Sequence, residues 1–434
     1  MTTIPQLTTT LQTLLGPTAD AEARKAGFVQ RQSKLTGAKF TQTLVFGQLE
    51  DAHASLEDLV HTALTLGVDI SPQGLDQRYT QSASAMLKGV LDRAIEAAIA
   101  SDPVAVPILK RFTRVYVMDS STIALPEALA TIWSGCGNQT AKADAALKIH
   151  LRLEVTTGAL AGPLISDGRL HDRSSALSTE QLPPGSLRLA DLGYFSLAAM
   201  RDMTAHGVYW LSRIQANTAV FDATGQRHTL SQWLSQLDGP IDLAVTVGAQ
   251  ERMPCRLLAQ RVPDDVAEER RRRMRAEGQR RGQPVSEERL RLAGWTICIT
   301  NAPSSLMSVA AAMVLTRLRW QIELLTKLWK SHGHIDESRS GKPWHVLCDV
   351  YAKLLAMLVQ HWLLLVGCWR YVDRSLSKAA KIVQKYALHL AIHFADAGTL
   401  VLALTQLARS LSKGCRINKS KRDPRTFQLL LRLA

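Results

Sequence analysis

Residues 315–332 read LTRLRWQIELLTKLWKSH. Leu318, Ile322, Leu325 and Trp329 recur at i, i+4, i+7 and i+11, which draws an apolar stripe down one amphipathic helix. Beside it run Arg319, Glu323 and Lys330 at i, i+4 and i+11, close to one line along the helix. A carboxylate bracketed by two cations at the edge of a buried face suits metal-assisted phosphate chemistry. The same spacing also serves an exposed, salt-bridged face, and spacing alone leaves both readings open.

Upstream of this helix the pattern is that of strands. Residues 115–118 (VYVM) form a short apolar run rich in strand formers that ends at Asp119. Residues 147–155 and 159–165 read as two more strands around a Thr156-Thr157-Gly158 turn, with a short helix near Ser174. Residues 187–190 make a fourth strand that delivers Asp191 at its end. A helix over 196–205 and a fifth strand over 208–214 follow. Residues 215–294 interrupt this order with strands at 244–247 and 255–260 and a very basic helix over 267–281. Arg270, Arg271, Arg272 and Arg273 are consecutive in that helix. A strand at 295–301 leads back to the Glu323 helix. Helices are expected over 346–369, 375–394 and 399–411, and then a basic tail over 413–425.

The first 102 residues read as helical. Ser55 caps a helix that stops near Gly67, and Ser71-Pro72 opens another whose first turns hold Gln73, Gln77 and Arg78. Helix, glycine turn and a Gln/Arg-rich helix make a helix-turn-helix pattern. Arg24, Lys25, Arg31, Lys34 and Lys39 add a basic cluster upstream.

Three blocks together resemble the insertion sequence 4 family of DDE cut-and-paste transposases. The spacing R-x3-E-x6-K of Arg319, Glu323 and Lys330 is similar to the family's Y-x2-R-x3-E-x6-K signature. VMDSST (117–122) and ADLGYF (190–195) are similar to its two aspartate motifs, and the order D, D, then a long gap before E also fits. The resemblance covers residues from about 20 to the C-terminus. It departs at one position, where Thr316 stands in place of the tyrosine.

That resemblance implies an α/β fold: a ribonuclease-H-like catalytic domain with a β-rich insertion, flanked by helical N- and C-terminal domains. Residues 1–102 would be the DNA-binding domain and 103–345 the catalytic domain, with the insertion at about 215–294. Residues 346–434 would serve dimerisation and synapsis. Asp119, Asp191 and Glu323 would be the catalytic acids and hold two Mg²⁺ ions, with Mn²⁺ as a substitute and Asp119 bridging the pair. Arg319 and Lys330 would hold the phosphate of the transposon end. Trp320 and Trp295 match positions where a relative stabilises a flipped base, and core packing is the other reading of both rings. Thr316 keeps a hydroxyl but holds it closer to the backbone than tyrosine does. Gln73, Gln77 and Arg78 would contact the terminal repeat. The partners implied are double-stranded DNA (transposon ends and target) and a second copy of the chain in a synaptic homodimer. The rivals are a host nuclease on the same fold and a degenerate copy that binds ends without cutting them.

Bulk properties agree with a polyanionic partner. The 434-residue chain carries a formal charge of +14, with a pI near 9.7. Six scattered cysteines without a C-x-x-C pair read as reduced thiols. His332-x-His334 could take a transition metal but lacks a third ligand in register. The N-terminus lacks the basic region and apolar core of a signal peptide. Residues 354–368 are short and interrupted by Gln360 and His361, which predicts a buried helix rather than a membrane span. The expectation is a bacterial, cytoplasmic, nucleoid-associated protein with no membrane role.

Overall fold

The computed structural model describes residues 1–31, 34–135, 137–138, 141–142, 144–420 and 424–433. Cys136 and part of the basic tail lie outside them. The chain is mixed α/β, with a ten-stranded sheet and helical flanks. In chain order the strands are β1 (Val115–Leu125), β2 (Gly137–Asn138), β3 (Ala141–Lys142), β4 (Ala145–Glu154), β5 (Leu160–Asp167) and β6 (Leu187–Ala190). They continue with β7 (Tyr209–Arg213), β8 (Val220–Phe221), β9 (Arg227–His228), β10 (Ile241–Val247), β11 (Met253–Arg261) and β12 (Trp295–Thr300). β2 and β3 form a separate two-stranded ribbon. The chain divides into two compact units. The first comprises Met1–Ala105, Asp119–His171 and Ile322–Lys419, and the second comprises Val106–Met118, Asp172–Gln321 and Ser420–Ala434.

In the second unit the start of β1 pairs in parallel with β6, and β6 pairs in parallel with β7. All four residues of β6 are buried, as expected of a strand covered on both faces. From β7 the pairing turns antiparallel and runs through β12, β11, β10, β8 and β9. Residues 215–294 therefore extend the sheet through β12. Trp210, Leu234, Val247, Leu257 and Ile299 form the core beneath it.

The arginine-rich helix spans Asp264–Arg280, with Asp264 and Asp265 in its first turn, where acids oppose the helix dipole. Its arginines divide by role. Arg270 donates to the Trp295 carbonyl at 3.0 Å and Arg271 to the Leu290 carbonyl at 3.2 Å. Arg272 and Arg273 face outward and pair with Glu269.

The first unit is mainly helical. Helix Pro343–Gly367 packs against Gly37–Glu50 and Gln81–Ile95, so N- and C-terminal segments share one core. That helix is apolar and long enough to cross a membrane, yet 94% of its apolar window is buried inside the protein. This agrees with the buried helix expected around residues 354–368. The fully buried His361 is 2.8 Å from the Gly158 carbonyl, and burial pushes its pKa down to about 4. Gly158 has φ +75°, and a Cβ there would run into Leu365 and Trp369.

Three expectations need correction. β1 does not end at Asp119, which is an interior residue of a strand reaching Leu125. The helix expected over 315–332 is two helices, Val309–Leu318 and Trp320–Ser331. They meet at Arg319, whose amide donates to the Arg317 carbonyl. The Ser71-capped helix is a single short piece, Pro72–Asp76, so Gln77 and Arg78 fall in the turn before helix Gln81–Ile95.

Candidate active site

Asp119 is half-buried and accepts at both carboxylate oxygens. The Ser120 amide donates to Oδ1 at 2.9 Å, and the Thr326 hydroxyl donates to Oδ2 at 2.7 Å. Thr326 stands three residues after Glu323 on helix Trp320–Ser331. Its hydroxyl is also 3.2 Å from the Ile322 carbonyl and 3.1 Å from the Glu323 carbonyl, so one hydrogen serves three acceptors in turn. Within the first unit, Asp119 is thus tied to the helix that carries Glu323 and Lys330. Ile322, Leu325, Leu328 and Trp329 bury that helix's apolar stripe, as its spacing predicted. Glu323 lies in its first turn and is half-buried. Lys330 Nζ is 3.7 Å from Asp336 Oδ2.

In the second unit, Asp191 directly follows β6 and its side chain is 40% exposed. Arg319 Nη1 is 3.4 Å from Asp191 Oδ2, and the arginine side chain is mostly buried. In this unit β1 and β6 run parallel, with Val117 opposite Leu189.

The remaining predicted residues fall as follows. The Thr316 hydroxyl donates to the Met313 carbonyl at 2.9 Å, inside its own helix. Trp320 is 47% exposed. Trp295 is partly buried at the edge of the second unit's core, with the Arg261 guanidinium 4.9 Å over its ring. Gln73 and Gln77 are exposed and Arg78 half-buried, all in the first unit. His332 does not join His334. It is 3.2 Å from the Ser377 hydroxyl instead.

Thr326 is the residue that sequence reasoning missed. Its signal was available as a hydroxyl at i+3 from Glu323, on the same helical face. Replacing it with Val keeps the branched shape and removes the donor to Asp119. A neutral hydrogen bond is worth about 0.5–1.5 kcal/mol, so Thr326→Val should lower stability by about that much with the fold intact. An unchanged urea midpoint for Thr326→Val would show that this bond does not hold Asp119 to the helix.

The family described as the transposase DDE domain matches residues 110–359, a stretch that holds Asp119, Asp191 and Glu323. The chain belongs to the DDE transposases. Among relatives, it is 26% identical over 361 residues to the transposase for insertion sequence element IS231B of Bacillus thuringiensis subsp. berliner, covering 78% of this chain and 75% of the relative. It is 27% identical, with the same coverage, to the transposase for IS231C of that organism. The transposase for IS1151 of Clostridium perfringens is 22% identical over 363 residues, 78% of this chain and 76% of its own length. The match thus bears out the resemblance to DDE transposases of insertion elements.

The chemistry of the three acids suits a hard divalent ion. They offer only carboxylate oxygens, the donors that Mg²⁺ and Mn²⁺ prefer.

Proposed function

We propose that this transposase binds the terminal inverted repeats of an insertion element and cuts the phosphodiester at each end. It then joins the freed 3′-hydroxyl to target DNA by cut and paste. The observation that carries the reading is the family match over residues 110–359, which spans all three acids. Asp119, Asp191 and Glu323 would hold two divalent ions, which when bound would activate the attacking oxygen and stabilise the leaving one. A ribonuclease-H-like arrangement across residues 103–345 would frame them.

The other residues bind and orient DNA. Arg319 offers a planar fork to the end phosphate and Lys330 a point charge. Trp320, the more exposed ring, is the platform for a displaced base, and Trp295 serves first as packing. Residues 1–102 form the end-reading region, with Gln73, Gln77 and Arg78 at the terminal repeat. Residues 346–434 would support a homodimer that pairs two ends. The bacterial relatives support action on nucleoid DNA in the cytoplasm.

Thr316 sets the sharpest test. Its hydroxyl is held against the backbone by the bond to Met313, whereas a tyrosine would carry its hydroxyl out on a rigid ring. The assay uses a duplex with the element's own end and flank, incubated with the full chain and Mg²⁺. We expect first-strand nicking by the natural protein. Thr316→Tyr should leave nicking unchanged and raise complete excision severalfold, in line with a hydrogen bond of about 0.5–1.5 kcal/mol. An inactive Thr316 protein rescued by tyrosine would establish the degenerate-copy reading. Absence of cleavage by both proteins would overturn the enzymatic one.

A further inference from the structure

A second donor cluster lies in the first unit, built from residues far apart in sequence. His53 sits in the turn between helices Gly37–Glu50 and Leu56–Thr65, where the Asp51 carboxylate accepts from its amide at 2.8 Å. His334 and Glu337 lie just beyond helix Trp320–Ser331. His53 Nε2 is 3.7 Å from Glu337 Oε2, and His334 Nδ1 is 3.1 Å from Glu337 Oε1. The two imidazole rings are 4.0 Å apart and tilted by 45°. One ligand atom from each of the three residues falls within 4.8 Å of the others.

We propose that His53, His334 and Glu337 form a transition-metal site, with Zn²⁺ the ion that suits two imidazoles and one carboxylate. Zinc bonds of roughly 2.0–2.1 Å at tetrahedral angles put ligand atoms about 3.3–3.4 Å apart. The observed separations from the two histidines to the Glu337 oxygens, 3.1 Å to Oε1 and 3.7 Å to Oε2, lie on either side of that spacing. Closing the set asks the ligand atoms, now within 4.8 Å of one another, to draw in to it. Three protein ligands leave the fourth position to water. Of the three ligands, His53 also lines a neighbouring cavity bounded by Tyr79, His345 and Asp349.

The backbone around the ligands is held in place. His334 has φ +41°, unusual for a residue other than glycine. The buried Lys353 ammonium donates to the carbonyls of His334 at 3.0 Å and Glu337 at 2.8 Å, which ties both ends of the turn to helix Pro343–Gly367. Zn²⁺ would take the place of the proton between His334 and Glu337. A bound ion would fasten the N-terminal helical segment to the turn that follows the Glu323 helix. This clasp is independent of the acids assigned to DNA cleavage.

The test uses the full chain, stripped with a chelator and titrated with Zn²⁺ under saturating Mg²⁺. The readouts are calorimetry and the zinc that survives gel filtration. The natural protein should retain one zinc equivalent. His53→Asn, His334→Asn and Glu337→Gln should each weaken binding at least about tenfold, since even an outer-shell partner is worth about 10–100-fold in metal affinity. Asparagine is used at position 334 because it tolerates the left-handed backbone. Co²⁺ in place of Zn²⁺ should give visible bands that vanish in the same variants. Asp119→Asn should keep its zinc. Equal retention by the natural protein and His53→Asn would overturn the proposal. So would zinc lost in Asp119→Asn but kept in the histidine variants. If His334→Asn fails to fold by circular dichroism, the largely exposed Glu337→Gln decides.

Discussion

We expect Glu323→Gln to abolish cleavage of the element's end while end binding and folding persist. Glutamine keeps the shape of the side chain and removes the charge a divalent ion needs. The helix that carries Glu323 is held by Ile322, Leu325 and Trp329, which the substitution does not touch. The favourable placement of an acid in the helix's first turn, about 0.3–1 kcal/mol, is lost with the charge. Asp119→Asn is a less clean variant. Asp119 accepts from both the Ser120 amide and the Thr326 hydroxyl. An asparagine amide group can accept from only one of them: with its oxygen toward the Ser120 amide, its NH2 faces the Thr326 oxygen, whose hydrogen turns to the Ile322 or Glu323 carbonyl. Asp119→Asn should therefore lose cleavage and rearrange these bonds, whereas Glu323→Gln should lose cleavage with the bonds of Asp119 in place. The measurements are Mg²⁺-dependent nicking of labelled end DNA, gel-shift affinity and Tm. Nicking by Glu323→Gln at the natural rate would sink the assignment of the metal site.

Trp329→Ala does the reverse. Trp329 is fully buried six residues along the same helix. Truncating a buried tryptophan to alanine costs about 3–5 kcal/mol, through lost apolar burial and the cavity left behind. A loss of that size is a large share of ordinary domain stability. Among the described residues the indole N–H of Trp329 has no hydrogen-bond partner, so Trp329→Phe loses volume but no such bond and should cost far less. Urea unfolding should show a lower midpoint for Trp329→Ala, with cleavage per folded molecule retained below the transition. An unchanged midpoint would mean that the apolar stripe does not support the first unit. The two variants together separate the chemical face of this helix from its packing face.

Much of the candidate site was legible because its signals are local. The stripe Leu318, Ile322, Leu325, Trp329 repeats at helical spacing, and all four side chains are buried. Strand β6 matched its apolar run residue for residue and delivers Asp191 at its end. Ser55, Ser71, Ser196 and Ser375 each cap the helix expected after them, because a cap is satisfied within one turn. The D, D, E order fits the family match, since motif spacing is a property of the chain alone.

Tertiary structure decided the rest. A strand's length depends on which neighbours bond to it, so nothing around Asp119 announced that β1 would run on to Leu125. The second helix of the N-terminal pair looked longer than it is because Thr80 caps a new helix soon after Ser71 does. Four adjacent arginines look alike in sequence. Only folding turns Arg270 and Arg271 toward backbone carbonyls and leaves Arg272 and Arg273 at the surface with Glu269. The bond from Thr326 to Asp119 joins residues 207 positions apart, and His334 meets His53 rather than His332. Periodicity and caps act within a few residues, whereas these pairings depend on where whole elements pack and so are absent from any local pattern.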